Sequence, residues 1–356
     1  MTSFALPIDL RSDTVTRPTA AMLERMARSP LGDDGLEGDP TVRALEATAA
    51  AQLGKPAALF VPSGTMGNLI AVLAHARGGP GEVLAGAGSH LLNSERAGAA
   101  LAGLHYRGLP EHLGQLDPEG VADAIDVRPA ARCQTALVVL ENTHNAAGGT
   151  VSSPAQMRAI HGVAARHGVP VHTDGARLFN AAVALGVPVA DLAAATDSVS
   201  VCLSKGLSAP VGAVLAGSVA FVERARSIRR TLGGTMRQAG VIAAAGLVAL
   251  ESMVERLEED HQRARDLHGA LRAIDPTWCV PEAPQTNIVR VRVGNSTAQG
   301  QRWEAALAAH GVWVRAGSGG WLRLVTHRHI DASAVVAAVT AFAVVRSEQS
   351  GLSDGA

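Results

Sequence analysis

The sequence predicts an α/β protein in which a mostly parallel sheet is covered by helices and followed by a smaller α+β domain. Three observations carry this. Short apolar or β-branched runs alternate with Ala-rich segments of helical length, the order expected when strands are joined by helical crossovers. At 356 residues and 47% hydrophobic content, the chain can bury a full core in one large domain and a second, smaller one. In its last third the pattern changes to Ile288-Val289-Arg290-Val291-Arg292-Val293, whose period of two suits a sheet with one wet face.

Taken in order, Pro40–Leu53 reads as a helix, Ala57–Val61 as a buried strand and Thr65–Arg77 as the helix after it. Ala136–Leu140 is the next apolar strand. Pro154–His167 is a helix because Ser153 stands at a capping position and Pro154 in the first turn. Val169–His172, Val199–Leu203 and Ala213–Ala216 complete the strands of the large domain. From about Thr235 a long helical stretch runs to about Ala273, with Glu251, Glu255, Arg256, Glu258 and Glu259 on its solvated face. A helix at Gln301–His310 and a strand at Trp321–Val325 follow. The expected organisation is an N-terminal arm (1–18), a large α/β domain (19–250), a small α+β domain (251–347) and a Ser/Gly-rich flexible tail (348–356).

Composition excludes several function classes. Net charge is −1 with no block of like charges, so the footprint of a nucleic-acid or anionic-membrane binder is missing. Cys133, Cys202 and Cys279 lie far apart without metal-ligand spacing, which predicts reduced thiols, no metal site and a cytoplasmic protein. The N-terminus lacks a basic region followed by an apolar stretch, and the longest apolar run, Ala239–Leu250, is too short to span a bilayer.

Only two lysines occur, Lys55 and Lys205, while arginine supplies the other positive charges. Lysine forms an imine with an aldehyde and arginine does not, so Lys205, in Cys202-Leu203-Ser204-Lys205-Gly206-Leu207 after an apolar strand, is the first candidate for covalent chemistry. Two further motifs converge with it. Ser63-Gly64-Thr65, where a strand turns into a helix, offers backbone N–H groups, hydroxyls and a positive helix end for a phosphate. Asp174, in Val171-His172-Thr173-Asp174-Gly175-Ala176-Arg177, is delivered to a strand's carboxyl end, where open α/β sheets place ligands. Its carboxylate can pair with a cationic ring nitrogen, and Arg177 can bind a carboxylate or phosphate through its fork. A phosphate turn, an Asp at one strand end and a Lys at the next are what pyridoxal 5'-phosphate requires.

With these residues in view, the chain resembles a known family. Ile8-Asp9-Leu10-Arg11-Ser12-Asp13-Thr14-Val15-Thr16-Arg17-Pro18, Leu140-Glu141-Asn142-Thr143-His144-Asn145, Asp174–Arg177, Ser204-Lys205-Gly206-Leu207 with Pro210-Val211-Gly212, and Gly233-Gly234-Thr235-Met236-Arg237-Gln238 are similar to the low-specificity L-threonine aldolases. Those are fold-type I, aspartate-aminotransferase-like pyridoxal-phosphate enzymes with a seven-stranded sheet, and the resemblance runs from about residue 8 to 340. It implies that Lys205 carries the cofactor, that Asp174 pairs with its ring nitrogen, and that Ser63, Gly64 and Thr65 hold its phosphate. It implies that His90 stacks on the ring and assists proton transfer. It also implies that Ser12, Arg177 and Arg323 bind the substrate carboxylate, and that Arg230 and Arg237 reach the phosphate from a neighbouring subunit of a homodimer or homotetramer.

The implied activity is cleavage of L-threonine or L-allo-threonine to glycine and an aldehyde. Substrate-facing positions depart from the family pattern. Leu36, Leu92 and Ser94 stand where polar or tyrosine side chains are usual, and a histidine common in the family falls near Ala131 or Arg132. Tyr106 is the one tyrosine in the chain. Racemisation and β-elimination therefore remain alternatives on the same scaffold. A catalytically silent, cofactor-binding regulator is disfavoured by the joint presence of Lys205, Asp174 and Arg323.

Overall fold

Seven strands form the central sheet of the computed structural model, which describes residues 7–76, 81–126 and 133–353. They are β1 (Ala57–Val61), β2 (Glu82–Gly86), β3 (His105–Leu109), β4 (Thr135–Glu141), β5 (Val171–Asp174), β6 (Ser198–Cys202) and β7 (Ala213–Gly217). Their spatial order is β1-β7-β6-β5-β4-β2-β3. The pairs β6/β5, β5/β4, β4/β2 and β2/β3 are parallel, while β7 runs antiparallel to both of its neighbours. The expected α/β class and mostly parallel sheet are thus observed. Strands β2 and β3 were not anticipated: β3, His-Tyr-Arg-Gly-Leu, is an edge strand with too little apolar content to stand out.

Local sequence sets the helices. Asp39 accepts hydrogen bonds from the Thr41 and Val42 amides, Pro40 fills the first turn, and Gly54 ends the helix Pro40–Leu53 in the left-handed conformation at φ 60°. Ser153 and Gln156 form a reciprocal capping box at the start of Pro154–Arg166. Apolar side chains from both faces of the sheet fill three clusters, around Leu59 and Leu215, around Val138 and Val171, and around Val83 and Leu137.

Two compact units divide the chain, residues 17–255 and residues 1–16 with 256–356. The single long helix expected from Thr235 to Ala273 is two helices, Gly240–Ser252 and Leu257–Ile274. The break has a physical reason. The first helix buries residues around most of its circumference and packs on Ala20–Arg28 and Pro40–Leu53, whereas the second is amphipathic and packs on Ala332–Ser353. One straight helix could not satisfy both burial patterns.

In the second unit, β8 (Ile288–Arg292), β9 (Arg315–Ala316) and β10 (Trp321–Val325) form an antiparallel sheet in the order β8-β10-β9. The N-terminal segment read as an arm belongs to this unit. Ile8–Asp9 pairs in parallel with Val312–Trp313, and fully buried Leu10 joins a core with Leu267, Trp303, Leu324 and Phe342. The last helix extends to Ser353, well into the stretch read as a tail. No helix among the described residues is long and apolar enough to cross a membrane.

Candidate functional site

Strand carboxyl ends gather the polar residues of the larger unit. The register sets Glu141 of β4 opposite Asp174 of β5, and Asp174 opposite Ser200 of β6. Val61, Ala213 and Cys202 form a matching row across β1, β7 and β6, so the Ser63–Thr65 turn and the Lys205 loop leave the sheet at the same edge. Convergence of Lys205, Asp174 and the Ser-Gly-Thr turn therefore follows from strand order.

Lys205 is half-buried in a loop that folds back on itself: Ser208, at φ 65°, donates its amide to the Lys205 carbonyl at 2.8 Å, and Ala209 donates to Leu203 at 3.0 Å. A non-glycine residue in the left-handed region costs about 1 kcal/mol and is held here by the closed loop. Lys55 has another role. Its ammonium donates to the Thr196 carbonyl, ahead of β6 at the opposite sheet edge, and burial lowers its pKa. The two lysines thus stand at opposite edges of the sheet.

Ser63 caps the helix Gly64–Ala76 by accepting from the Met66 amide at 3.2 Å, leaving the first-turn N–H groups without intrahelical acceptors. At Gly64 a Cβ would stand 2.6 Å from Cys202 Sγ, so only glycine lets this turn approach β6 so closely. At Gly175 a Cβ would lie 2.7 Å from the Ser200 carbonyl oxygen, and this tight passage sets the aim of Asp174.

Asp174 is buried, accepting from the Ala176 amide at 3.1 Å and from Asn68 Nδ2 at 3.0 Å. His90, on the four-residue helix His90–Asn93, bonds through Nδ1 to Glu95 Oε1 at 2.9 Å. That bond raises the His90 pKa, with the charge of Asp174 also contributing. Thr65 donates its hydroxyl to Glu95 Oε1 at 3.2 Å. His90, Glu95 and Asp174 offer ligand atoms within 4.8 Å of one another.

Beneath His90 lies a buried cluster. Glu141 accepts from the His90 amide at 2.5 Å and from the Asn145 amide at 2.7 Å, and burial raises its pKa against the opposing charge of His144. His144 Nε2 stands 3.4 Å from Glu111. Burial would lower the His144 pKa, but Glu111, Glu141 and Asp174 together raise it. Arg177 is buried, with Nη1 3.5 Å from Asn145 Oδ1.

Arg230 and Arg237 stand apart from this cluster. Arg230, exposed on Val219–Thr231, reaches the Gly35 carbonyl at 3.4 Å, and Arg237 pairs with Asp33 at 3.5 Å. In the other unit, Arg323 is flanked across the strands by Arg290 and Arg315 on one face of the small sheet, and donates to the Arg11 carbonyl at 3.0 Å. Ser12 accepts from the Thr14 amide at 3.2 Å.

Of the positions that depart from the family pattern, Leu92 has surroundings of its own. Leu92 and Tyr106 are buried together in the core cluster with Val83 and Leu137. Leu36 is 77% exposed and Ser94 is exposed. Ala131 and Arg132 lie outside the described residues. Sequence reasoning missed Glu95, Asn68 and Glu111, and the placing of Glu141 and His144 beneath His90. For Asn68 and its partners the signal was polar residues at period two inside a buried strand, Ser198 and Ser200 in Ser-Val-Ser-Val-Cys.

The donor set fits pyridoxal phosphate: an amine on a closed loop, a buried carboxylate one strand away, and a glycine-dependent helix N-terminus at the same sheet edge. Comparison with known proteins agrees. The beta-eliminating lyase family model matches residues 9–294. Low-specificity L-threonine aldolase 1 of Arabidopsis thaliana is 43% identical over 333 residues, covering 92% of this chain and 93% of that protein. The low specificity L-threonine aldolase of Escherichia coli K12 is 40% identical, covering 91% and 95%. The threonine aldolase structure of Leishmania major superposes with a TM-score of 0.81 at 20% identity over 94% of this chain and 98% of that one, a likeness of fold.

Proposed function

The chain belongs to the beta-eliminating lyase family, among the low-specificity L-threonine aldolases, and from that premise we propose that it cleaves L-threonine, L-allo-threonine or a related β-hydroxy-α-amino acid to glycine and an aldehyde with pyridoxal 5'-phosphate. One observation carries the reading: Lys205 and Asp174 leave adjacent strands at the edge where the Ser63–Thr65 turn opens a helix.

When bound, the cofactor supplies an electron sink for the bond broken at Cα. Lys205 tethers its aldehyde. Asp174, held by Asn68 and the Ala176 amide, keeps a proton on the ring nitrogen. First-turn amides of Gly64–Ala76 bind the phosphate. We assign the substrate carboxylate to Arg177, Arg323 and Ser12, and orientation by such forks aligns the bond to be cleaved. His90, its Nδ1 held by Glu95, is assigned to the cofactor ring and to moving a proton.

The reading includes a cytoplasmic homodimer or homotetramer in which Arg230 and Arg237 act on a neighbouring subunit's phosphate. Support comes from the 69% exposure of Arg237 and from a helix position that turns Arg230 outward. Light scattering of the purified protein tests the assembly.

The activity is tested by loading the protein with pyridoxal phosphate and offering L-threonine, L-allo-threonine, serine and alanine. Equimolar glycine and acetaldehyde from either threonine, with loss of the visible absorbance band in Lys205→Ala, is the expected result. Pyruvate from serine or an inverted enantiomer of alanine as the main product would replace this reading with β-elimination or racemisation.

A further inference from the structure

The chemistry above uses Asn68 only as one hydrogen-bond partner of Asp174. Asn68 lies one turn into the helix Gly64–Ala76 and is 2% exposed, yet its amide meets four other side chains. Its Nδ2 is 3.0 Å from Asp174 Oδ2 and 3.3 Å from Glu95 Oε2. Its Oδ1 is 2.6 Å from Ser200 Oγ and 3.3 Å from His172 Nε2. Carboxylates only accept hydrogen bonds, so the NH2 group must face Asp174 and Glu95. The carbonyl oxygen must then face two donors, the Ser200 hydroxyl and an N–H on His172 Nε2.

That requirement propagates. With Nε2 protonated, neutral His172 has an acceptor at Nδ1, and Ser198 Oγ is 2.8 Å from it. Ser198 in turn stands 2.7 Å from His75 Nε2. Every bond then runs in one direction, from His75 through Ser198 and His172 to Asn68 and on to the two carboxylates. His172 is fully buried, and desolvation pushes its pKa down to about 3, so it stays neutral and keeps a single N–H. Turning the Asn68 amide over would set its oxygen against both carboxylates and its NH2 against the His172 N–H.

We infer that Asn68 is a positioning residue whose amide, locked by Ser200 and His172, bridges Asp174 and Glu95 and so holds together the ring-nitrogen partner and the carboxylate that orients His90. Asp174 and Glu95 come from separate elements, a strand end and the segment after a short helix, and Asn68 ties them to the helix that begins at the Ser63–Thr65 turn. The cofactor's ring nitrogen, its phosphate and His90 thereby share one rigid reference.

This inference rests on the pyridoxal-phosphate reading, and its test separates the two. Asn68→Asp is nearly isosteric and replaces the bridging donor by an acceptor, placing a third carboxylate against the pair. Relative to wild type, Asn68→Asp raises the Kd for pyridoxal phosphate at least tenfold and displaces the visible band of the bound cofactor. Ser200→Ala, which removes one of the two donors that lock the amide, produces a smaller change of the same kind. A role in packing alone would lower the melting temperature and leave the band in place. An Asn68→Asp holoenzyme with the wild-type Kd and band overturns the positioning role alone, whereas a wild-type protein that takes up no cofactor overturns both readings. Should Asn68→Asp not fold, 15N NMR of the wild-type imidazoles decides: neutral His172 protonated on Nε2 is expected, and protonation on Nδ1 overturns the lock.

Discussion

Removing Asp34 should destabilise the larger unit by about 3–5 kcal/mol, the range for stripping one partner from a buried ion pair. Asp34 Oδ2 lies 2.6 Å from Arg229 Nη2, and their side chains are 4% and 1% exposed, so solvent screens the pair little. Arg229 also donates through Nη1 to the Phe60 carbonyl of β1 at 2.7 Å. In Asp34→Ala the guanidinium keeps that bond and loses its counter-charge in a site water hardly reaches. Since about 1.4 kcal/mol is a factor of ten, the folded-to-unfolded ratio falls by roughly two to three and a half orders of magnitude. Urea unfolding followed by circular dichroism measures this directly. The double variant Asp34→Leu/Arg229→Met should recover part of the loss, because no charge is left buried and unpaired. A loss under about 1 kcal/mol for Asp34→Ala, or a double variant no better than the sum of its single changes, would refute the reasoning.

Three further outcomes are expected. His172 has a folded pKa depressed to about 3, so between that value and its unfolded value of about 6.5 the unfolded chain binds the extra proton, and stability rises with pH across that window by about 1.4 kcal/mol per unit; denaturant titrations from pH 4 to 7 should show a slope shallower by about that amount in His172→Gln. Gly64→Ala forces a methyl to 2.6 Å from Cys202 Sγ and should cost about 1–3 kcal/mol with weaker cofactor binding, and adding Cys202→Ala should restore most of both; no rescue would mean that the turn fails for another reason. Arg323→Lys loses the planar fork and should raise KM for the amino-acid substrate about 10- to 100-fold with little change in kcat, as steady-state kinetics would show, whereas an unchanged KM would remove Arg323 from substrate binding.

Much of this was legible where the deciding interactions are local. Asp39, Pro40 and Gly54 bracket one helix, and Ser153 with Gln156 starts another, because caps act within a few residues of the chain. Lys205 stood out by composition, and Asp174 by ending an apolar strand. Other features were hidden because they depend on partners far along the chain. Strand β2 pairs with both β3 and β4, but its own five residues carry no distinctive period. The break between Ser252 and Leu257 follows from which neighbours each helix buries against, which the run of helix-forming residues does not reveal. Leu92, aligned with a substrate-facing position of the family, turns instead into the core beside Tyr106.

By itself the sequence determined the α/β class, and it singled out Lys205, Asp174 and Ser63-Gly64-Thr65 as cofactor candidates, apart from the varied positions Leu36, Leu92 and Ser94. Only the tertiary structure decided that Glu95, Asn68 and His172 stand behind that constellation. Asn68 and Asp174 are 106 residues apart in the chain, and Asn68 and Ser200 are 132 apart, so their hydrogen bonds exist only once strand order and register are set. A capping residue finds its partner within one turn of chain, whereas a buried amide finds its partners only where the sheet and its covering helix have closed around it.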